Sequence, residues 1–107
     1  MKAVEILLVE DNPGDVRLTQ EALNEGRISN KLHVASDGFE AMEFLTKSGN
    51  FKNATTPDLV LLDLNLPKMN GFEVLEKIKS DEQLKLIPVI ILTTSQSEQD
   101  ILTSYSM

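Results

Sequence analysis

Glu10, Asp11, Asp63 and Thr93 are the side chains best placed to do chemistry, because each stands at the end of a short apolar run. Ile6-Leu7-Leu8-Val9 leads into Glu10-Asp11, Leu59 to Leu62 into Asp63, and Val89-Ile90-Ile91-Leu92 into Thr93. Runs this short, carrying β-branched residues, read as strands buried on both faces. Open α/β sheets bind their ligands outside the carboxyl ends of the strands, so the three acids and the hydroxyl are expected on one rim. Crowded carboxylates repel and raise one another's pKa, a strain that a cation relieves. Hard oxygen donors at a partly open site suit Mg2+, which keeps several waters and takes only one or two carboxylates. Asp11 and Asp63 are the expected direct ligands, with Glu10 acting through a bound water and the backbone carbonyl of Asn65 completing the protein's share. Mg2+ beside an aspartate points to phosphoryl transfer, with Asp63 as oxygen nucleophile and Thr93 offering a hydroxyl to a phosphoryl oxygen. Each residue also has a plainer role: Asp63 as a turn former, Glu10 and Asp11 as caps of the first helix, Thr93 as a strand-end residue bonding its own backbone. All four at strand ends by chance is much less common than any one of them.

The remaining composition narrows the field. The chain has 107 residues, 41% of them hydrophobic, enough for one modest core. The absence of cysteine removes disulfides, thiol nucleophiles and thiolate metal sites from consideration. No apolar run is long enough to span a bilayer and no secretory leader is visible, so a soluble cytoplasmic protein is expected. A net charge of −7 disfavours nucleic acid and anionic membrane as partners. Lys68, Lys77, Lys79 and Lys85 are interleaved with acids, as on a solvated face, and form no basic patch.

Positioning the acids requires alternating elements. Val4 to Val9 reads as a strand, Asp15 to Glu25 as a helix with Val16, Thr19, Ala22 and Leu23 at helical spacing, and Gly26 as its C-terminal stop. Lys31 to Ala35 alternates, with Leu32 and Val34 on one face, and is expected nearer a sheet edge. A helix over Gly38 to Leu45 places Ala41, Met42 and Leu45 on one stripe, and Gly49 ends the pattern. Ser48 to Pro57 reads as a long surface loop. After the central strand, Pro67 and Asn70-Gly71 mark a turn, and Phe72 to Lys79 a helix turning Val74, Leu75 and Ile78 inward. Pro88 opens the fourth strand, and Ser95-Gln96-Ser97-Glu98 has capping-box spacing for a last helix using Ile101, Leu102 and Tyr105. The order β-α-β-α-β-α-β-α implies a doubly wound parallel sheet in a single domain over residues 1–107. His33, alone in its strand, is expected to face solvent; Met42 and Met69 read as core filler and a loop contact.

Three stretches together, Leu7 to Asn12, Leu61 to Gly71 and Pro88 to Thr93, resemble the receiver domain of two-component response regulators over essentially the whole chain. The resemblance implies a flavodoxin-like (βα)5 fold with strand order 2-1-3-4-5 and phosphotransfer from a kinase phosphohistidine to Asp63. It carries Glu10 and Asp11 over as the acidic pair, Asn65 as the backbone ligand and Thr93 as the switch hydroxyl, with a sensor histidine kinase as partner. The long loop before the third strand resembles receivers that serve phytochrome-type kinases.

The family also uses a fifth-strand lysine and an aromatic switch residue, which this chain does not reach before Met107. The domain is therefore expected to be C-terminally incomplete, lacking the fifth strand and helix, with Val89 to Leu92 as an apolar edge that favours a homodimer. A receiver that is never phosphorylated and acts only as a partner-binding module is the competing reading. A haloacid-dehalogenase-type phosphatase needs a second aspartate where Asn65 stands, and a flavin binder would set Glu10-Asp11 against the flavin phosphate.

Overall fold

The computed structural model describes residues 3–64, 66 and 69–92. Within them the chain runs β1 (Val4–Val9), α1 (Pro13–Glu25), β2 (Asn30–Ala35), α2 (Gly38–Thr46), β3 (Leu59–Asp63), α3 (Gly71–Ser80) and β4 (Val89–Leu92), with 3-10 turns at Gly49–Phe51 and Leu84–Leu86. The strands form one parallel sheet in the order β2-β1-β3-β4. The chain steps from β1 to β2 on one side, then crosses to β3 on the other, so the order reverses between β1 and β3. Loops leaving a sheet at such a point diverge and open a crevice.

Period-two alternation divides the core. Leu7, Val9, Ala35, Val60 and Leu62 pack with Ala41, Phe44 and Leu45 of α2 and Val74, Leu75 and Ile78 of α3. Ile6, Leu8 and Leu61 pack on the opposite face with Val16 and Leu23 of α1. Helices on both faces explain why β1 and β3 read as continuous apolar runs: Leu7, Leu8, Val60 and Leu62 have no exposed surface. The sheet is the doubly wound parallel one expected from the sequence. The expected last helix lies outside the described residues.

Helix ends follow local chemistry. Asn12 caps α1, its Oδ1 accepting from the N–H groups of Gly14 at 2.8 Å and Asp15 at 3.2 Å, with Pro13 preset for the first turn. Asp37 caps α2 by accepting from the Glu40 N–H at 2.8 Å, and Asn70 caps α3 by accepting from the Glu73 N–H at 3.0 Å. The stop expected at Gly26 is where α1 ends, Gly26 being its C-cap with its N–H donating to Ala22 O at 3.1 Å. Gly26 stays right-handed at φ −71°, and Arg27 takes the left-handed turn at φ 57°. Likewise α2 ends at Lys47, φ 57°, before Gly49 is reached.

Other expectations are corrected by packing. His33 does not simply face solvent: its Nε2 lies 2.8 Å from Glu5 Oε2, and its ring centroid is 5.1 Å from that of Phe44. Residue 33 shares β2's face with Ala35, toward α2, whereas Leu32 packs on the α1 side and Val34 is exposed. The stretch 48–57 is not wholly a surface loop, because Phe51 stacks obliquely on Phe44 with centroids 5.5 Å apart and Pro57 is buried. Met69 is a core residue, buried among the α2 and α3 side chains.

Because Asn12 and not Asp11 caps α1, the two neighbours should respond differently to truncation. Asn12→Ala is expected to lower unfolding free energy by about 1 kcal/mol, while Asp11→Ala leaves it unchanged or raises it by relieving repulsion. Urea unfolding without divalent ions checks both.

Candidate functional site

Register brings the acids together. Val9 of β1 pairs with Leu62 of β3, so the next residue of each strand, Glu10 and Asp63, leaves the sheet at the same level. Glu10 is still tied to the sheet, its N–H donating to Ala35 O at 2.9 Å. Asp11 follows as the chain turns toward α1. One oxygen from each of Glu10, Asp11 and Asp63 lies within 4.8 Å of the others. Glu10 is buried, Asp63 half-buried and Asp11 exposed, so the cluster opens to solvent on one side.

The electrostatics show what the cluster lacks. The Glu10 carboxyl is pushed up from 4.5 to about 7, first by burial, then by a hydrogen bond with the Asp63 carboxyl and by the negative charges of Asp63 and Asp15. The N–H of Asn12, donating to Glu10 Oε1 at 3.1 Å, opposes this only in part. The hydrogen bond with Asp63 thus favours the protonated form of Glu10. A divalent ion can replace that proton. Two oxygens about 2.1 Å from an octahedral Mg2+ stand about 3.0 Å apart when adjacent and about 4.2 Å apart when opposite. The three oxygens, within 4.8 Å of one another, would have to draw in to meet one ion directly, or a bridging water would serve the longest arm. All donors are hard oxygens, which suits Mg2+ or Mn2+ and disfavours softer ions. Asn12 takes the N-cap position, so the capping hydrogen bonds of α1 come from neither Glu10 nor Asp11.

The loop after Asp63 is closed on itself. Gly71 N–H donates to Leu64 O at 3.1 Å, and a Cβ at Gly71 would stand 2.4 Å from Leu64 Cα and 2.5 Å from Asp63 O. Only glycine permits this approach, which holds the start of α3 against the backbone of Asp63. In the sequence Gly71 reads merely as part of a turn; nothing local signals that Asp63 is what it touches. Asn65 and Thr93, the other expected site residues, lie outside the described residues.

Three acids able to hold a divalent cation, at the switch point of an open parallel sheet, define a class of α/β protein rather than one activity. Residues 6–107 match the family model of the response regulator receiver domain. Response regulator Rcp1 of Synechocystis sp. is 50% identical over 102 residues, 95% of this chain and 69% of that protein. The solved structure of the Mn2+-bound form of Rcp1 has a TM-score of 0.88 at 50% identity, covering 96% of this chain and 74% of that one. The phosphorylated cyanobacterial phytochrome response regulator RcpA gives 0.89 at 51% identity, with 98% and 75% covered. The bacteriophytochrome response regulator AtBRR gives 0.90 at 45% identity, with 99% and 77% covered. This chain belongs to the response regulator receiver family, whose members are phosphorelay signalling switches that bind a divalent metal, and it resembles the phytochrome-associated branch. Among the described residues no helix is long and apolar enough to cross a membrane.

Glu10 gives the cation site a defined pH dependence. Its raised pKa stabilises the metal-free fold fully below pH 4.5, and that contribution is lost as pH rises through about 7. Mg2+ must displace the same proton, so its affinity should climb by up to about tenfold per pH unit until about pH 7 and then level off. Titration calorimetry across pH 5 to 8 checks this, and Glu10→Gln should flatten the profile.

Proposed function

We propose that Asp63 is the phosphoacceptor, receiving a phosphoryl group from the phosphohistidine of a sensor histidine kinase. An Asp63 carboxylate oxygen forms the new O–P bond while the P–N bond breaks, and the imidazole nitrogen keeps the electron pair. The observation that carries this reading is the convergence of Asp63 with Glu10 and Asp11 at the carboxyl rim, one oxygen of each within 4.8 Å of the rest. Those three carboxylates, with the Asn65 carbonyl, would hold Mg2+. Bound there, the ion supplies positive charge to the phosphoryl oxygens. Asp11 is exposed and Asp63 half-buried, so an incoming donor would approach from the solvent side of the cluster. Thr93 is assigned the hydroxyl that meets the phosphoryl group once it is transferred.

The resulting acyl phosphate adds charge at a rim shared by β1, β3 and β4, and its role is to bias protein contacts rather than to turn over a substrate. In this reading residues 1–107 belong to a single receiver domain acting in the cytoplasm. The likeness to RcpA and AtBRR supports a phytochrome-type kinase as the partner. The acidic balance, −7 overall, supports protein rather than nucleic-acid contacts. Self-association through β4 is a second contact we assign, supported by its place at the edge of the described sheet and by the half-exposed Ile90.

Incubation with acetyl phosphate or a cognate kinase and Mg2+ should add one phosphoryl group, about 80 Da by formula, in intact-mass spectrometry. Asp63→Ala and chelation of Mg2+ should each abolish the gain. A gain of the same mass that survives Asp63→Ala overturns the assignment. Sedimentation as a clean monomer at high concentration would count against the β4 contact.

A further inference from the structure

Gly38, at the start of α2 and far in sequence from the strand ends that carry the acids, bears directly on the acceptor loop. A Cβ built there would meet Met69 O at 2.2 Å, Met69 Cβ at 2.6 Å and the Met69 carbonyl carbon at 3.0 Å. The first of these is a backbone atom, which cannot swing aside as a side-chain tip would. We propose that Gly38 is a positioning residue for phosphoryl transfer: it sets where the loop between Asp63 and α3 lies, and through it the geometry of the cation site. The inference rests on the assignment of Asp63 above.

Neither partner in the contact is free to yield. The start of α2 is fastened by Asp37 Oδ1, which accepts from Glu40 N–H at 2.8 Å, by Glu40 Oε1, which accepts from Ser36 N–H at 3.2 Å, and by Ala41 N–H donating to Asp37 O at 3.1 Å. Gly38 itself is buried, and Ala35 just before it is locked in β2. On the other side Met69 is buried at 8% exposure. The next residue, Asn70, caps α3, and the one after it, Gly71, bonds Leu64 and abuts Asp63 O. The line of contact therefore runs from Gly38 through Met69 and Gly71 to the backbone of Asp63, with close backbone packing at both glycines.

The magnitude decides that this matters for chemistry as well as packing. An alanine at 38 would force Met69 O back by about 0.8 Å, the gap between 2.2 Å and the 3.0 Å that real Cβ atoms keep. Functional groups need to be held within about 0.5 Å of productive geometry, and Mg2+ is intolerant of departures from its octahedron. A displacement of that size, delivered to a loop closed onto Asp63, exceeds the tolerance of the site.

Gly38→Ala is expected to weaken Mg2+ binding by about tenfold and to slow phosphorylation by acetyl phosphate at saturating Mg2+. Both are read well below the unfolding midpoint, calorimetrically and by intact mass. Phe44→Leu on the same helix, at a side chain whose ring partners are His33 and Phe51, is the control. It should lose stability yet keep Mg2+ affinity and rate. If Gly38→Ala folds and matches the unsubstituted chain in both, or if Phe44→Leu loses them equally, the proposal fails. Should Gly38→Ala not fold, Mg2+ titration of the unsubstituted chain replaces it. The amide resonances of Gly38 and Met69 should then shift along the same binding curve, and a Gly38 amide that stays put overturns the proposal. Failure of the unsubstituted chain to be phosphorylated would instead strike the assignment of Asp63, leaving the two claims separable.

Discussion

Two carboxylates forced together at the seam between β1 and β3 are the constraint around which this domain is arranged. Glu10 and Asp63 leave adjacent parallel strands at one level, and burial plus mutual repulsion make Glu10 hold a proton near neutrality. Such a pair costs free energy in any protein that has no use for it. Here the cost is confined to a rim that opens to solvent through Asp11, where a divalent ion can exchange with the proton. Stability and function thus pull in different directions at this one point, as they commonly do where charge is concentrated for chemistry.

The rest of the fold supplies the rigidity that holds the pair in place. β1 and β3 lie inside the sheet and are covered by α1 on one face and by α2 and α3 on the other, so their backbones have no room to relax away from each other. Caps at Asn12, Asp37 and Asn70 fix where each helix begins, at the same end of the sheet as the acids. The dense packing of Gly71 on Asp63 and of Met69 on Gly38 extends this control into the loop, the part of the site with least secondary structure of its own. Interiors packed this closely transmit displacement instead of absorbing it.

Much of the architecture is legible along the chain because it is local. The apolar runs ending in Glu10 and Asp63 announce buried strands, and their alternation with the helical stripe of Val74, Leu75 and Ile78 announces a parallel sheet. What is not legible depends on partners distant in sequence. His33 reads as solvent-facing until Glu5 and Phe44 are found beside it. Residues 48–57 look like open loop until Phe51 lands on Phe44. The Gly26 stop is legible and α1 does end there, but residue type does not reveal that Arg27, not the glycine, takes the left-handed conformation.

Residue order alone determined which groups are available and roughly where each strand ends, because apolar periodicity and turn chemistry act over a few residues at a time. Only the tertiary structure decided that Glu10, Asp11 and Asp63 converge within 4.8 Å, that the proton settles on Glu10, and that Gly38 bears on Met69. Those facts depend on strand register and on backbone approach between segments some thirty to fifty residues apart. Distances of that kind are set by packing the whole sheet at once, and no local pattern encodes them.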